Sequence, residues 1–181
     1  MGSQDQLQAL VRRCQRGEAA AFEELFRQFQ PRLRYYLRRL NASGDHTEDT
    51  LQDVWVKVVR GIGSLKDRQA FVAWLYTIAR NEAYGRAKVK DPFLELAGEE
   101  LELVADNHEP AFSAEDAARI HAALERLKPR QREILTLGFL EELSYEEIAG
   151  ILKLRPGTIK SRMYYAKQSL RRELEKDNGS A

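Results

Sequence analysis

The sequence predicts an all-α chain of two small helical domains, the C-terminal one a helix-turn-helix, joined by an acidic linker. Three observations carry this. Apolar residues recur at three- and four-residue steps among strong helix formers, and no segment alternates apolar and polar side chains as a half-buried strand does. Charge is segregated: residues 1–90 hold 16 Lys and Arg against 10 Asp and Glu, residues 91–116 hold 9 acidic and no basic residues, and residues 117–181 hold 13 basic against 9 acidic. The acidic stretch contains Pro92 and Pro110 and loses the helical period, which favours an extended connection. The boundaries follow as 1–90 for the first domain, 91–112 for the linker and 113–181 for the second domain.

In the first domain, Leu7–Gln15 and 19–40 read as helices, the longer one with Phe22, Leu25, Phe26, Phe29, Leu33 and Leu37 at helical spacing. Asn41-Ala42-Ser43-Gly44-Asp45 is a turn. A third helix starts at Thr47, expected as its N-cap, with Glu48 and Asp49 favourably placed in the first turn. Its core stripe is Leu51, Val54, Trp55 and Val58, which leaves Asp49, Gln52, Asp53 and Lys57 on other faces. The segment from Arg60 to Ser64 ends it. The next helix buries Phe71, Trp74, Leu75 and Ile78 and turns Tyr76, Thr77, Arg80, Asn81 and Tyr84 elsewhere, running out in Arg86, Lys88 and Lys90. Trp55 and Trp74 are read as core, since both sit on buried stripes.

In the second domain, Ile120, Ala123, Leu124 and Leu127 make one helix, and Pro129 suits the first turn of another through Ile134, Leu135 and Leu137. Ser144 with Glu147 is a capping box, so a helix begins there and buries Ile148, Ala149 and Leu152. Small Ala149 permits the close crossing that a helix-turn-helix corner needs. Past a break at 153–157, a second helix buries Ile159, Met163, Ala166 and Leu170. Thr158, Lys160, Ser161, Arg162, Tyr165 and Lys167 then lie off the stripe, and those at the helix start are the ones a recognition helix presents to the major groove. A basic run on a helix is also an ordinary solvated face; the capping box, the small corner residue and the short break favour the nucleic-acid reading.

Several function classes drop out. No apolar run reaches the ~20 residues of a membrane span and no basic-then-apolar leader is present, so a cytoplasmic protein without membrane insertion is expected. Cys14 is the single cysteine and His46, His108 and His121 are scattered without ligand spacing, so neither a disulfide nor a metal site is expected, and no cofactor. No carboxylate pair, His-containing triad or glycine-rich phosphate loop marks a catalytic residue, so an enzyme is not expected.

The stretch ALERLKPRQREILTLGFLEELSYEEIAGILKLRPGTIKSRMYYAKQSLRREL resembles the C-terminal domain of bacterial sigma factors, and TEDTLQDVWVKVV with AFVAWLYTIARN resembles their N-terminal promoter-melting domain. Two such blocks, in this order and separated by a linker, resemble the extracytoplasmic-function (ECF) group, which keeps only these two domains. The resemblance implies a promoter-specificity subunit that binds core RNA polymerase and directs transcription initiation at minus-35 and minus-ten elements. It implies core-polymerase contacts at Asp49, Gln52 and Asp53, where carboxylates suit a basic partner surface; Asp49, a first-turn acid, equally suits the helix dipole, and the positions also read as ordinary solvated ones. It implies capture of an unpaired minus-ten base by the loop from Gly61 to Gln69 and the helix after it, with Arg80, Asn81, Tyr84, Arg86 and Lys88 as DNA-binding candidates, basic groups tracking phosphates and an aromatic face stacking a base. At the minus-35 duplex it implies Arg155, Thr158, Lys160, Ser161, Arg162 and, further along, Lys167, with Arg suited to guanine acceptors and the others to phosphates. An anti-sigma factor is the family's usual control and is the further partner expected. The acidic linker either occupies basic polymerase surfaces in place of a phosphate chain or serves as a solubilising tether.

The chain departs from the family pattern at four places: Lys153 where the corner often has Gly, Arg155 where Ser often caps the recognition helix, Tyr165 for a basic residue and Gly85 for Asp. A freestanding helix-turn-helix regulator that binds duplex without polymerase is the main rival; the acidic linker and the QDVWVKVV block speak against it.

Overall fold

The computed structural model of the chain describes residues 3–40, 46–87 and 117–178, and every regular element among them is helical. The expected linker, Lys88 and the turn at 41–45 lie outside the described residues. The chain divides into two units, Met1–Asp91 and Pro92–Ala181.

The first unit is built from α1 (Ser3–Gln15), α2 (Ala19–Leu40), α3 (Thr47–Gly61) and α4 (Phe71–Ala87), with a tight 3-10 turn at Ile62–Ser64. On α2 the buried residues Ala21, Leu25, Phe29, Leu33, Tyr36 and Leu37 follow the helical repeat. Pro31 lies inside α2 on its exposed side, where water can meet the carbonyl that its missing N–H leaves. Leu51, Val54, Trp55 and Val58 of α3 are buried as the spacing predicts. Each large apolar side chain so buried stabilises by about 1.5–3 kcal/mol. Edge-on ring pairs join the helices: Phe29 with Phe71, centroids 5.5 Å apart, and Tyr36 with Tyr76, 5.0 Å apart.

Three expectations in this unit are corrected. Thr47 is not the N-cap. It is the first helical residue and buried, while His46 holds the cap position without a side-chain cap bond. The start of α3 is fixed instead by the Thr50 hydroxyl, which donates to the His46 carbonyl at 2.7 Å, and by Arg34 of α2, which donates to both Glu48 oxygens at 2.7 and 3.0 Å. That fork holds the Glu48 carboxyl below its usual range. On α4 the buried line is Phe71, Leu75, Ala79 and Ala83, with Tyr76 and Arg80 beside it, and Trp74 and Ile78 are only half-buried. The reason is that α4 packs on both α2 and α3, with the small buried Ala79 and Ala83 on the packed side where the spacing puts bulkier residues. Phe26, expected in the α2 stripe, is 43% exposed.

The second unit comprises α5 (Ala117–Arg126), α6 (Pro129–Leu135) running into a wider π-type turn at Thr136–Leu140, α7 (Tyr145–Leu152) and α8 (Pro156–Asn178). Pro129 opens α6 at its first turn, as expected. Ala123, Leu124, Leu127, Ile134, Leu135, Leu137, Ile148, Ala149, Ile151 and Leu152 form its core with α8. The π-type turn has no counterpart in the sequence reading. It comes against α8 at Gly138, where an added Cβ would stand 2.5 Å from Met163 Cε. Gln131 of α6 donates to Ser169 Oγ at 2.8 Å, and Arg126 of α5 reaches Glu173 at 3.2 Å, so the far half of α8 is tied to both helices before it.

Candidate nucleic-acid and polymerase interfaces

The helix-turn-helix is formed by α7 and α8. The capping box is complete: Glu147 N–H donates to Ser144 Oγ at 3.2 Å, and Ser144 N–H donates to Glu147 Oε2 at 2.8 Å. At the corner Lys153 adopts the left-handed conformation, φ 56 and ψ 42, where its own N–H and that of Leu154 turn back to Ala149 O. Arg155 is exposed just ahead of Pro156, whose fixed φ opens α8, and the Arg155 carbonyl accepts from Ile159 N–H at 3.1 Å. The entry to α8 thus rests on proline geometry rather than on a capping hydroxyl.

Ile159, Met163, Ala166 and Leu170 are all buried, as their spacing predicts. Arg155 and Lys160 are exposed, Thr158 and Arg162 half-buried, and the last two share a face one turn apart. Two candidates sit differently. Ser161 is fully buried, and its hydroxyl donates back to the Gly157 carbonyl at 3.3 Å. A serine this short meets its own helix first, so the structure does not hold it ready for DNA. Lys167 lies two turns beyond the basic end, half-buried, with its ammonium 5.2 Å over the Phe139 ring.

In the first unit the loop between α3 and α4 is curled by local bonds. Ser64 Oγ donates to Gly61 O at 2.7 Å, Leu65 N–H to Ile62 O at 3.2 Å, and Gln69 N–H to Asp67 Oδ1 at 2.9 Å. The Trp74 indole covers Gly61, where a Cβ would be 3.0 Å from Cζ2. On α4, Asn81 is exposed and Tyr84 half-buried. Arg80 is only 2% exposed, its guanidinium 4.7 Å over the Tyr84 ring, because it stands one turn above Tyr76 on the side of α4 that meets Tyr36. It is therefore not an accessible strand contact in this structure. The Arg86 side chain lies outside the described residues.

On α3, Asp49 and Gln52 are exposed and Asp53 half-buried. Next to Gln52 runs an open apolar groove with Phe26, Val56 and Val59 on its walls, 43%, 41% and 57% exposed. Trp55 forms its floor, its indole N–H donating to Gln30 Oε1 and its ring 4.9 Å from Phe26. Phe26, Val56 and Val59 together leave a patch of large apolar side chains in water on this face. The sequence reading missed it, although Val56 and Val59 lie off the α3 stripe and carried the signal.

Comparison with known proteins bears on both units. The family described as Sigma-70 region 2 matches residues 25–91, and that described as Sigma-70, region 4 matches residues 117–170. The chain is 31% identical to the ECF RNA polymerase sigma-E factor of Escherichia coli K12, over 90% of this chain and 91% of that one. It is 29% identical to the RNA polymerase sigma-H factor of Pseudomonas aeruginosa over 97% of each. Among solved structures, the sigma factor RpoE of Bartonella quintana, crystallised with the anti-sigma factor NepR, is 30% identical, with a TM-score of 0.60 over 85% of this chain and 96% of that one. CnrH, solved with the cytosolic domain of CnrY, shares the fold at 22% identity, with a TM-score of 0.64 over 94% of this chain and 98% of that one. A first unit with an exposed groove and a second unit carrying a helix-turn-helix with a basic leading end, matched in that order to sigma regions 2 and 4, make the chain a member of the ECF sigma factors, the promoter-recognition subunits with which RNA polymerase begins transcription.

Proposed function

We propose that the two units divide the promoter between them, residues 1–90 holding core polymerase and the parted minus-ten strand, and residues 113–181 reading the minus-35 duplex. The observation that carries this is the pairing of an exposed apolar groove lined by Gln52, on the same helix as Asp49, in one unit with an exposed basic helix start in the other. The groove, with Asp53 at hand, suits a partner helix that brings apolar side chains and basic groups together. Arg155, Thr158, Lys160 and Arg162 suit a duplex: Arg162 reads a base edge, and the others fix register on phosphates. The loop from Gly61 to Gln69 receives an unpaired minus-ten base, with Asn81 and Tyr84 beside the strand and Arg86 and Lys88 following its phosphates.

No catalytic group, cofactor or metal enters this scheme. Melting follows because chain and polymerase bind the separated strand better than the duplex, which shifts the population toward the open form. The acidic segment 91–112 connects the units and occupies basic polymerase surfaces in place of nucleic acid. The protein acts in the cytoplasm with the polymerase, and an anti-sigma factor restrains it, a reading supported by the NepR complex of the 30% identical relative.

The test is run-off transcription from fragments of the source genome with purified core polymerase. New start sites only when both core and chain are present are expected. Tight, specific duplex binding by the chain alone, without polymerase-dependent starts, makes it a freestanding regulator instead.

A further inference from the structure

The side chain at the end of α1 is spent entirely on a loop far from it in sequence. Gln15 Nε2 donates to Ile62 O at 3.1 Å and to Leu65 O at 2.8 Å, and Gln15 Oε1 accepts from Arg68 Nε at 2.8 Å. A carboxamide offers two N–H donors and one carbonyl, and all three functions are used here on residues 62 to 68. The start of the loop is anchored by the burial of Ile62 and by its N–H, which donates to the Val58 carbonyl of α3, whereas the bonds from Ser64, Leu65 and Gln69 run between near neighbours and do not reach α1. Gln15 ties the loop to it.

The residue type is close to obligatory for that task. Glutamate would set a carboxylate against two carbonyl oxygens, asparagine is one methylene short, and methionine fills the volume but leaves both carbonyls unmet. The geometry also sorts the loop. With Ile62 and Leu65 carbonyls drawn toward α1, Ile62 buried and Leu65 half-buried, residues 63, 64 and 66 to 69 are left exposed as the surface that can meet a ligand. Gln15 itself lies outside residues 25–91, the part matched to Sigma-70 region 2.

We infer that Gln15 is a positioning residue for minus-ten recognition: it touches no DNA and sets the shape of the loop that receives the unpaired base. This rests on the reading of that loop proposed above. Discrimination between bases depends on where a few loop groups stand, so a loop released from α1 accepts the wrong base more readily while still binding strand. The effect is on selectivity rather than on overall affinity.

The experiment uses holoenzyme reconstituted from core polymerase and full-length chain, on a promoter found by run-off transcription, with each of the four bases placed in turn along the non-template minus-ten strand. Open-complex formation is measured for wild type, Gln15→Glu, Gln15→Met and the exposed loop variant Asp67→Ala. Gln15→Glu and Gln15→Met are expected to lower the preference for the best base by about tenfold at one position, the scale of a single good base contact, with core affinity unchanged. A uniform loss at all four bases, or no loss, overturns the inference and leaves Gln15 a fold-stabilising residue. If Asp67→Ala and the Gln15 variants all leave base preference untouched, the loop reading itself fails. If Asp67→Ala changes the preference and the Gln15 variants do not, only the role of Gln15 fails. Hydrogen exchange at the Leu65 amide in the free chain is a second readout, expected to speed up in Gln15→Met; an unchanged rate also overturns the inference.

Discussion

Lys153 stands in the left-handed region at φ 56 and ψ 42, a conformation that costs a residue with a Cβ about 1–2 kcal/mol. Glycine removes that strain but gives the unfolded chain more freedom, which offsets about 0.5–1 kcal/mol. Lys153→Gly is therefore expected to stabilise the C-terminal unit by about 0.5–1 kcal/mol, raising its midpoint by roughly 3–6 °C. Lys153→Ala keeps the strain and is expected to stay near wild type. A matched control lies three residues earlier on the same helix. Gly150 is exposed and regular, with nothing within 4 Å of an added Cβ, so Gly150→Ala is expected to gain about 0.5–1 kcal/mol. Glycine should thus help at position 153 and hurt at position 150. Far-UV circular dichroism follows both units on heating, while both tryptophans, Trp55 and Trp74, lie in the N-terminal unit, so their fluorescence is an internal reference. A dichroism midpoint lower for Lys153→Gly than for Lys153→Ala would refute the left-handed corner and the reasoning built on it.

Val59→Asp puts a charge on the wall of the exposed groove and is expected to weaken core-polymerase binding at least tenfold, about 1.4 kcal/mol, in a competition assay. Because Val59 is 57% exposed, the melting temperature should not move, and a lowered one would mean that the residue is structural. Arg162→Ala is expected to weaken minus-35 duplex binding by ~1–3 kcal/mol with core binding intact; equal loss of both ends the division of labour. Cys14 is 2% exposed and burial pushes its thiol up to about 11. Alkylation in mildly alkaline buffer should therefore proceed only as the chain opens and accelerate with denaturant, and rapid labelling of the native protein would contradict the packing of α1.

Legibility from sequence differed from helix to helix for physical reasons. On α8 the residues Ile159, Met163, Ala166 and Leu170 are buried as read, and the Ser144–Glu147 cap is a local motif that needs no tertiary information. On α4 the reading was displaced, because a helix pressed by two neighbours buries a band whose centre the period alone does not give, and Tyr76 and Arg80 went under with Ala79 and Ala83. Thr47 has a capping side chain, yet the turn before it hands the cap position to His46. Among the candidate site residues, Asp49, Gln52, Asn81, Arg155 and Lys160 are exposed, whereas Ser161 and Arg80 are buried. Helical spacing says which way a side chain leaves its helix, not what else arrives there. Gln15 could not be found by any such rule, since its partners are 47 to 53 positions away.

The notch at Gly138 has a mechanical consequence. With the Met163 methyl seated where a Cβ would be, the thioether works as a detent on α8. Travel of α8 along its axis, 1.5 Å per residue, would lift the Met163 sulfur and methyl out of the notch, beside which Ile148 of α7 also lies. With the Gln131–Ser169 and Arg126–Glu173 bonds, this contact opposes endwise sliding of the long helix against its own unit. A pull on its basic end is thereby passed to the three helices packed against it, α5, α6 and α7.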